Sequence, residues 1–361
     1  MSQPTVSPSA RLASVDALRG LTVAAMLLVN NPGDWGHVYA PLLHAQWHGC
    51  TPTDLIFPFF LFIVGVSIAL AVAPRVDAGA DRATLTRAVL WRALKIVAIG
   101  LLLHALAWWW LDRDHFRPWG VLQRIGLCFG IAGLLAIHLR ARAQVVLIAI
   151  LLIGYAALLA AGGSHARWDD LASRIDTALF GPLLYQFDPA SGRGHDPEGS
   201  VSTLGALATT LIGLRAGDWL RQARSGRLLI AGIALLAAGA LWSRWLPINK
   251  SLWTSSYVLW TAGWAMLALW LSHRLIDARG WPALGRRFGV NAIAVYAGSA
   301  VMVYALAGLG WAGPIYEQGF AGWMAPRWGP YLPSLAYALA FVAVWWAVAW
   351  WMDRRRWYVK A

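Results

Sequence analysis

The sequence is poor in charged residues and in cysteine, and both shortages limit the class of protein to which it can belong. Only 13% of its 361 residues are Asp, Glu, Lys or Arg, whereas 59% are hydrophobic. That balance is typical of polytopic membrane proteins and excludes a multi-domain soluble enzyme. The two cysteines, Cys50 and Cys128, cannot form a disulfide framework. Each is interpreted as a small apolar residue rather than a reactive thiol.

Several familiar catalytic signatures are also missing. The sequence has no G-x-G-x-x-G, no P-loop and no G-x-S-x-G elbow in a strand-to-helix context, so nucleotide hydrolysis and serine hydrolysis lose their usual support. His44 and His48 have i, i+4 spacing but lie outside any H-E-x-x-H pattern. No metal site is therefore predicted. The net charge of +13 does not indicate nucleic acid, because the cations lie in short runs between apolar segments.

Long apolar runs dominate the chain. A spanning helix needs about 20 mainly apolar residues, and ten segments qualify as candidates: 15–32, 53–74, 85–111, 118–138, 143–161, 201–217, 227–246, 252–272, 285–309 and 331–352. The first run has no small-residue cleavage site and is expected to be retained. The sequence predicts an all-α bundle of about 10 transmembrane helices, in one transmembrane domain over residues 1–361.

The distribution of positive charge predicts the orientation. Of the 30 Lys and Arg residues, 21 fall in one set of tails and connections and eight in the other, with Arg124 inside a helix. Cations accumulate on the cytoplasmic side, so both termini are expected there, in a bacterial inner membrane, with residues 1–12 a flexible tail. Residues 162–200 and 310–330 become long periplasmic loops that could cap a cavity. Their aromatic rings fit sugar platforms and interfacial anchors equally well.

The connection from Asn30 to Phe60 is unusually polar for a segment between two apolar runs. It contains Asn30, Asn31, Asp34, His37, His44, Gln46, His48 and Asp54. Polar density beside a bilayer is typical of a functional site, although a solvated loop is the plain alternative. Asp54 precedes the second helix, where it can cap the N-terminus or hold an imidazole in one tautomer.

Three further polar features stand out. Arg124 lies within an apolar run, where a charge costs roughly 2.5 to 3.5 kcal/mol; Asp16, Asp54 or a bound anion could offset that cost, or the side chain could snorkel. Asp196 and Glu198 form an acidic turn before the sixth helix, which fits helix capping or binding of a cationic amino sugar. Asn249 and Lys250 form a second outward turn, with Lys250 a candidate partner for these carboxylates.

Eight motifs occur together in a fixed order along residues 11 to 300. They are SVDALRG (14–20), VN (29–30), HAQWHG (44–49), DLIFPFFLFIVGVSI (from 54), GVLQRIG (120–126), DPEG (196–199), PINKSLW (247–253) and the region of Asn291. In this order and spacing the chain resembles the transmembrane domain of the heparan-α-glucosaminide N-acetyltransferase family. It is most similar to the short bacterial NagX-like branch, which is associated with N-acetylglucosamine use and lacks an extra lumenal N-terminal region.

The resemblance implies acetyl-CoA supplied from the cytoplasm and an amino sugar acetylated on the far side. It implies His44 as the catalytic histidine, with Asn30 beside it, and Asp54 would orient the imidazole. Residues in the matching motifs are assigned to coenzyme A (Arg19, Gln123 and Arg124) and to the sugar (Trp47, Asp196, Glu198, Asn249 and Lys250). His48 stands where the family motif has asparagine, and the spacing from Asn30 to His44 is longer here. No catalytic role therefore transfers to His48.

Several alternatives stay open at this point. The same helices fit an N-acetylglucosamine transporter, although no paired broken helices in repeated halves support it, or an acyltransferase to a polysaccharide hydroxyl. Acetyl transfer can be direct or can pass through an acetyl-His44 intermediate. A tunnel between the early helices, with Arg124 along it, is expected to lead the thioester to His44. Membrane lipid surrounds the chain, and the Trp-rich last helix fits a homodimer contact as well as a lipid-facing belt.

Overall fold

The computed structural model describes residues 12–359, which form helices almost throughout. The α-helices are α1 (Ala13–Asn30), α2 (Ile56–Ala71), α3 (Ala73–Asp77), α4 (Arg82–Trp110), α5 (Val121–His138), α6 (Ala141–Ala161), α7 (Leu171–Phe180), α8 (Thr203–Arg221), α9 (Gly226–Trp242), α10 (Ser255–Ser272), α11 (Arg286–Val290), α12 (Ala292–Gly308), α13 (Ala312–Tyr316), α14 (Gly322–Trp328) and α15 (Tyr331–Arg354). The predicted all-α class is confirmed. Most of the predicted tail 1–12, with Arg11, and also Lys360 lie outside the described residues.

Shorter elements complete the chain. Three 3₁₀ turns cover Ala40–Leu42, Pro52–Leu55 and Gly181–Leu183, and π-helical turns cover His273–Asp277 and Glu317–Ala321. A small antiparallel hairpin pairs β1 (Gln186–Asp188) with β2 (Arg193–His195) in the register Gln186 to His195, Phe187 to Gly194 and Asp188 to Arg193. The sequence did not predict this hairpin, because its strands are only three residues long and periodicity needs longer runs.

Fewer helices are long and apolar enough to span a membrane than the ten that the sequence predicts. Within residues 12–359, six helices are long and apolar enough to cross a membrane, or seven if α12 and the α13–α14 segment form one span bent by 101°. Helices do form in all ten predicted segments. Part of the shortfall has physical causes: α9 and α12 have 17 residues each, and α8 carries buried polar side chains that lower its hydropathy. Ten spans, and the orientation, remain predictions.

Helices α2 and α8 pack closely against each other, and glycines set their separation. A Cβ on Gly65 would collide with the Thr210 carbonyl oxygen, and one on Gly213 would collide with that of Phe62. Only glycine allows two helix backbones to approach this closely, as is common between membrane helices. Around this pair lies a core of fully buried residues such as Leu61. The contact holds the first turns of α2 and α8 side by side.

The connections at this end of the bundle are more ordered than predicted. Residues 162–200 contain α7, a 3₁₀ turn and the hairpin, and residues 310–330 contain α13 and α14. Both connections therefore contain regular structure, and their periplasmic position remains a prediction. Tyr316 of the second connection packs against Tyr337 at 5.9 Å between ring centroids. The first connection instead packs against α6, because Ala172 of α7 lies in one buried cluster with Tyr155 and Leu159.

Candidate active site

A cavity of about 380 Å³ opens where α1 ends and α5 and α8 begin. The turn before α2 and the start of that helix (Thr53, Ile56 and Phe57), five other parts of the chain and one residue of α12 line it. Its lining includes Met26, Val29 and Asn30 from α1; His44 to Trp47 from the following connection; Arg117 and Val121 near the start of α5; Tyr185, Gln186, His195 and Glu198 from the 162–200 segment; Lys250 and Ser251 before α10; and Tyr296. The predicted capping of a cavity by a long connection holds for 162–200 and does not extend to 310–330.

His44 is held from behind by a buried carboxylate. Its Nδ1 lies 2.7 Å from Asp54 Oδ1, and the Asp54 side chain has no exposed surface, whereas that of His44 is 47% exposed. Asp54 also closes a capping box with Thr51 at the start of the turn that leads into α2. The local sequence therefore fixes this carboxylate before it contacts the histidine.

Every contact of the Asp54 carboxylate is made by a donor, and this assigns a proton to Nδ1 of His44, which leaves the lone pair on Nε2 in the neutral ring. Its Oδ2 accepts from the backbone N–H groups of Thr51 at 2.9 Å and Ala45 at 3.1 Å, and from the Thr51 hydroxyl at 3.1 Å. An ionised carboxylate only accepts hydrogen bonds, so His44 donates through Nδ1–H. The lone pair of Nε2 then faces away from Asp54, as a general base requires.

Lys250 meets that free nitrogen. Its Nζ lies 3.3 Å from His44 Nε2, although the two residues are 206 positions apart. Burial lowers the pKa of Lys250, and the negative charges of Glu198 and Asp54 oppose that shift. An ammonium can only donate, so this contact is consistent with a neutral His44 that accepts at Nε2.

The turn that presents Lys250 is built by its neighbours. Asn249 is fully buried; its Oδ1 accepts from the Leu252 N–H at 2.8 Å, and its Nδ2 lies 3.3 Å from His48 Nδ1. Trp253 adopts a left-handed φ of 51° and is also fully buried. The structure thus places Asn249 inside the turn rather than on the cavity wall. His48, for which no role was predicted, is one of its supports.

The acidic turn is organised by an arginine that the sequence did not single out. Arg117 donates from Nε to Asp196 Oδ2 at 2.8 Å, and its Nη2 donates to Asp196 Oδ1 and to Glu198 Oε2 at 2.6 Å. Asp196 also accepts from the Tyr185 N–H at 3.1 Å. Its carboxylate oxygens are therefore occupied by contacts within the protein rather than available to a sugar. Glu198, in contrast, lines the cavity.

Glu198 keeps its negative charge in this environment. Burial on its own raises the pKa of a carboxyl group, but the charges of Arg117 and Lys250 outweigh it and lower the pKa of Glu198 to about 2. The same pair of carboxylates raises the pKa of Arg117, against the effect of its burial. A fixed anion therefore lies on the wall that also carries the Lys250 ammonium.

The residues assigned to coenzyme A lie away from this wall. Arg124 is fully buried; its Nη2 donates to the Gly199 carbonyl at 3.0 Å and to the Ser202 hydroxyl, and its guanidinium stacks over Trp253 at 5.1 Å. Gln123 is buried near His104, with 3.4 Å between Nε2 and Nδ1. Arg19 donates to the Gly289 carbonyl at 2.7 Å and to Asp16. None of the three lines the cavity described above.

Two residues of the cavity wall, His195 and Arg117, were not predicted from the sequence, whereas Trp47 was already assigned to the sugar. Trp47 donates from Nε1 to the His165 carbonyl at 2.8 Å and packs edge-to-face on His195, with 5.2 Å between ring centroids. His195 directly precedes the Asp196 turn, a position that could have drawn attention to it. Arg117 was also predictable in kind, since two buried carboxylates require a cation.

His37, the remaining histidine of the polar connection, forms a separate pair. Its Nδ1 lies 2.6 Å from Asp34 Oδ2, and its ring contacts Tyr331 at 5.4 Å. The side chains of His37 and Asp34 are 40% and 39% exposed, and neither lines the cavity. Within residues 12–359 no group of three or more His, Cys, Asp or Glu side chains is placed to hold a metal ion.

Comparison with known proteins finds similar sequences with one shared name. Residues 11–179 match the model for the catalytic region of heparan-alpha-glucosaminide N-acetyltransferase. The chain is 28% identical over 358 residues to the Homo sapiens heparan-alpha-glucosaminide N-acetyltransferase, covering 81% of this chain and 53% of that protein. It is 27% identical over 372 residues to the Mus musculus protein of the same name, covering 82% and 54%.

The chain thus spans about half the length of the curated relatives it matches. The matched segment 11–179 includes Asn30, His44 and Asp54, whereas Glu198 and Lys250 lie beyond it. The resemblance predicted from the sequence is confirmed: residues 11–179 are similar to the catalytic region of heparan-alpha-glucosaminide N-acetyltransferase.

Proposed function

We propose that this chain is a membrane-embedded N-acetyltransferase that moves the acetyl group of cytoplasmic acetyl-CoA to the amine of a glucosamine-type sugar on the periplasmic side. One observation carries the proposal. His44, inside the segment that matches the family's catalytic model, lines the cavity with its Nδ1 fixed by Asp54 and its Nε2 directed away from that carboxylate.

The chemistry requires a base at this position. An ammonium ion must lose a proton before its nitrogen can attack a thioester, and the nitrogen loses a second proton as the amide forms, which an imidazole is suited to accept near neutral pH. The ammonium gives its first proton to water; the neutral amine nitrogen then bonds to the carbonyl carbon, His44 Nε2 takes the second proton, and the C–S bond breaks to release coenzyme A as a thiolate. The thiolate then takes a proton from the imidazolium, which restores neutral His44.

Asn30 and the two charged residues complete the site. Asn30 ends α1 on the cavity wall, where its amide can donate to the developing oxyanion, a class of contact worth about 2.7 to 4 kcal/mol. Glu198 attracts an amino sugar that arrives as an ammonium ion. The Lys250 ammonium moves away from His44 Nε2 when the acceptor amine binds there. The Glu198 carboxylate then remains to balance the positive charge of Lys250.

The proposal is tested with purified protein, acetyl-CoA and glucosamine. Wild-type protein should release free coenzyme A thiol, and His44→Ala should abolish that release. The matched control is His37→Ala, which removes an imidazole of the same connection from outside the cavity and should keep near-normal turnover. Full turnover by His44→Ala would refute the assignment. Uptake of labelled N-acetylglucosamine into vesicles without acetyl-CoA would favour a transporter instead.

The route of the acetyl group is tested separately. If His44 is acetylated first, Nε2 bonds to the acetyl carbon and coenzyme A leaves before the sugar reacts. Protein incubated with acetyl-CoA alone should then gain one acetyl group by mass spectrometry, and His44→Ala should gain none. Unmodified wild-type protein that still turns over both substrates would establish direct transfer.

The side of the membrane is tested by labelling. Asp34→Cys in the His44 connection should react with a membrane-impermeant maleimide in intact cells, and Asp81→Cys at the start of α4 should react only after lysis. Reaction of Asp81→Cys alone in intact cells would reverse the proposed orientation. Arg19 and Arg124 remain proposed contacts of the donor along its path from the cytoplasm, with the basic inner connections attracting its phosphates.

A further inference from the structure

A second imidazole reaches the cavity wall through a chain of buried hydrogen bonds. Asp170 Oδ2 accepts from the Ser173 hydroxyl at 2.6 Å, and the Ser173 oxygen lies 2.8 Å from His195 Nδ1. The three residues are 0%, 1% and 3% exposed. Buried polar groups joined in this way form a rigid network, and His195, its last member, lines the cavity.

The network fixes the tautomer of His195. Asp170 caps α7, since its Oδ1 also accepts from the Ser173 N–H at 2.8 Å. The single hydroxyl proton of Ser173 goes to the carboxylate, so its oxygen accepts from His195 Nδ1–H. Burial lowers the pKa of His195 despite the opposing charge of Asp170. The ring is therefore neutral near pH 7, with a bare lone pair on Nε2.

That nitrogen is buried and has no hydrogen-bond partner within residues 12–359. A buried acceptor without a donor is unfavourable, and a ligand that supplies the donor binds more tightly as a result. A lone pair repels anions, so the ligand group must carry an O–H or N–H. The Trp47 ring packs on the imidazole, and because Nε2 is buried, contact with it requires a small shift of the cavity wall.

We propose that His195 determines acceptor specificity by accepting a hydrogen bond from a hydroxyl of the amino sugar. This inference rests on the proposed acetyltransferase function. Trp47 follows His44 by three positions and packs on His195, so one short segment connects the base for the amine to the acceptor for a hydroxyl. The Trp47 ring offers its face to the C–H groups of the sugar between them.

The test compares glucosamine with analogues that each lack one hydroxyl. Wild-type protein should lose about tenfold or more in kcat/KM for one analogue, because a site built to bond a hydroxyl rejects the molecule without it. His195→Phe should lose a similar factor on glucosamine but nothing further on that analogue. If His195→Phe discriminates among the analogues as strongly as wild type, the inference is wrong.

Two more variants separate recognition from structure. Ser173→Ala keeps the imidazole but frees its tautomer, so Ser173 acts as a positioning residue. The variant should reduce the selectivity between glucosamine and the affected analogue, a ratio that general destabilisation would leave unchanged. His115→Phe removes another imidazole of the same side, which contacts the Leu184 carbonyl at 3.1 Å, and should keep wild-type selectivity.

Direct binding distinguishes this inference from the proposed function. If wild-type protein releases no coenzyme A with glucosamine, the proposed function fails. Equilibrium dialysis with labelled glucosamine still tests His195: at least tenfold weaker binding by His195→Phe than by wild type and His115→Phe supports the contact. Equal binding by all three proteins overturns it, whether or not the wild type turns over.

Discussion

The contact between Asp54 and His44 offers the sharpest test of the site, through the substitution Asp54→Asn. The change preserves shape but gives one end of the side chain donors instead of acceptors. If the amide oxygen stays on His44 Nδ1–H, the NH₂ group faces the N–H groups of Thr51 and Ala45, which now bond to Oδ2. If the amide flips, the NH₂ group faces Nδ1.

The flipped arrangement satisfies Thr51 and Ala45 and is therefore favoured. It forces His44 to accept at Nδ1, which moves the ring proton to Nε2 and removes the lone pair that the proposed mechanism uses. A hydrogen bond to a charged group contributes about 1.5 to 3 kcal/mol, or roughly 10- to 150-fold in rate. The wrong tautomer in a serine protease costs about 10⁴. We expect kcat to fall by about 10² to 10⁴.

The assay is the release of coenzyme A thiol at saturating acetyl-CoA and glucosamine. Asp34→Asn is the matched control, because Asp34 contacts His37 Nδ1 at 2.6 Å with the same pairing outside the cavity. It should change kcat by less than about threefold. The reasoning is refuted if Asp54→Asn keeps a third or more of wild-type kcat while remaining folded, or if both substitutions reduce kcat equally.

Two further predictions concern stability in detergent. Arg117 outweighs the effect of burial and holds the pKa of Glu198 at about 2, below its ordinary 4.5. This carboxylate therefore stabilises the fold above pH 4.5 by on the order of 3 kcal/mol, and the stabilisation is lost as the pH falls towards 2. Thermal unfolding at several pH values should show less acid sensitivity in Glu198→Gln than in the wild type, and unchanged sensitivity would contradict this. Gly65→Ala should destabilise by about 1 to 3 kcal/mol, since its Cβ meets the Thr210 carbonyl, whereas Gly154→Ala, with open space, should unfold at or above the wild-type temperature; equal midpoints would contradict the packing argument.

Local features of the chain were predictable because their causes are local. Apolar runs of about 20 residues locate helices, and all ten predicted segments contain one. Asp54 beside His44 was also expected, since the two are ten residues apart and the Thr51 capping box fixes the carboxylate. The polar density after Asn30 indicated the cavity for the same reason.

The predicted number of spans is not confirmed where helices exchange lipid contact for protein contact. Thr209, Thr210 and Asp218 are buried within α8, so this helix is surrounded by protein and does not need the hydropathy of a lipid-facing span. The side chains satisfy themselves locally: the hydroxyl of Thr210, for example, donates to the Ala206 carbonyl at 3.0 Å. Hydropathy reports the surroundings of a helix as well as its length, and only the packed structure separates the two.

The partners of the site residues lay beyond sequence reasoning for a different reason. Buried carboxylates at Asp196 and Glu198 imply a cation close to them. That cation is one of the eight Lys and Arg residues predicted to lie on the outer side. Charge alone cannot choose among the eight, because each is attracted to the same turn. Tertiary packing determines which cation pairs with the turn: Arg117, which lies 79 residues from Asp196 in the sequence, donates hydrogen bonds to both carboxylates. Lys250 is thereby left for His44, 206 residues away.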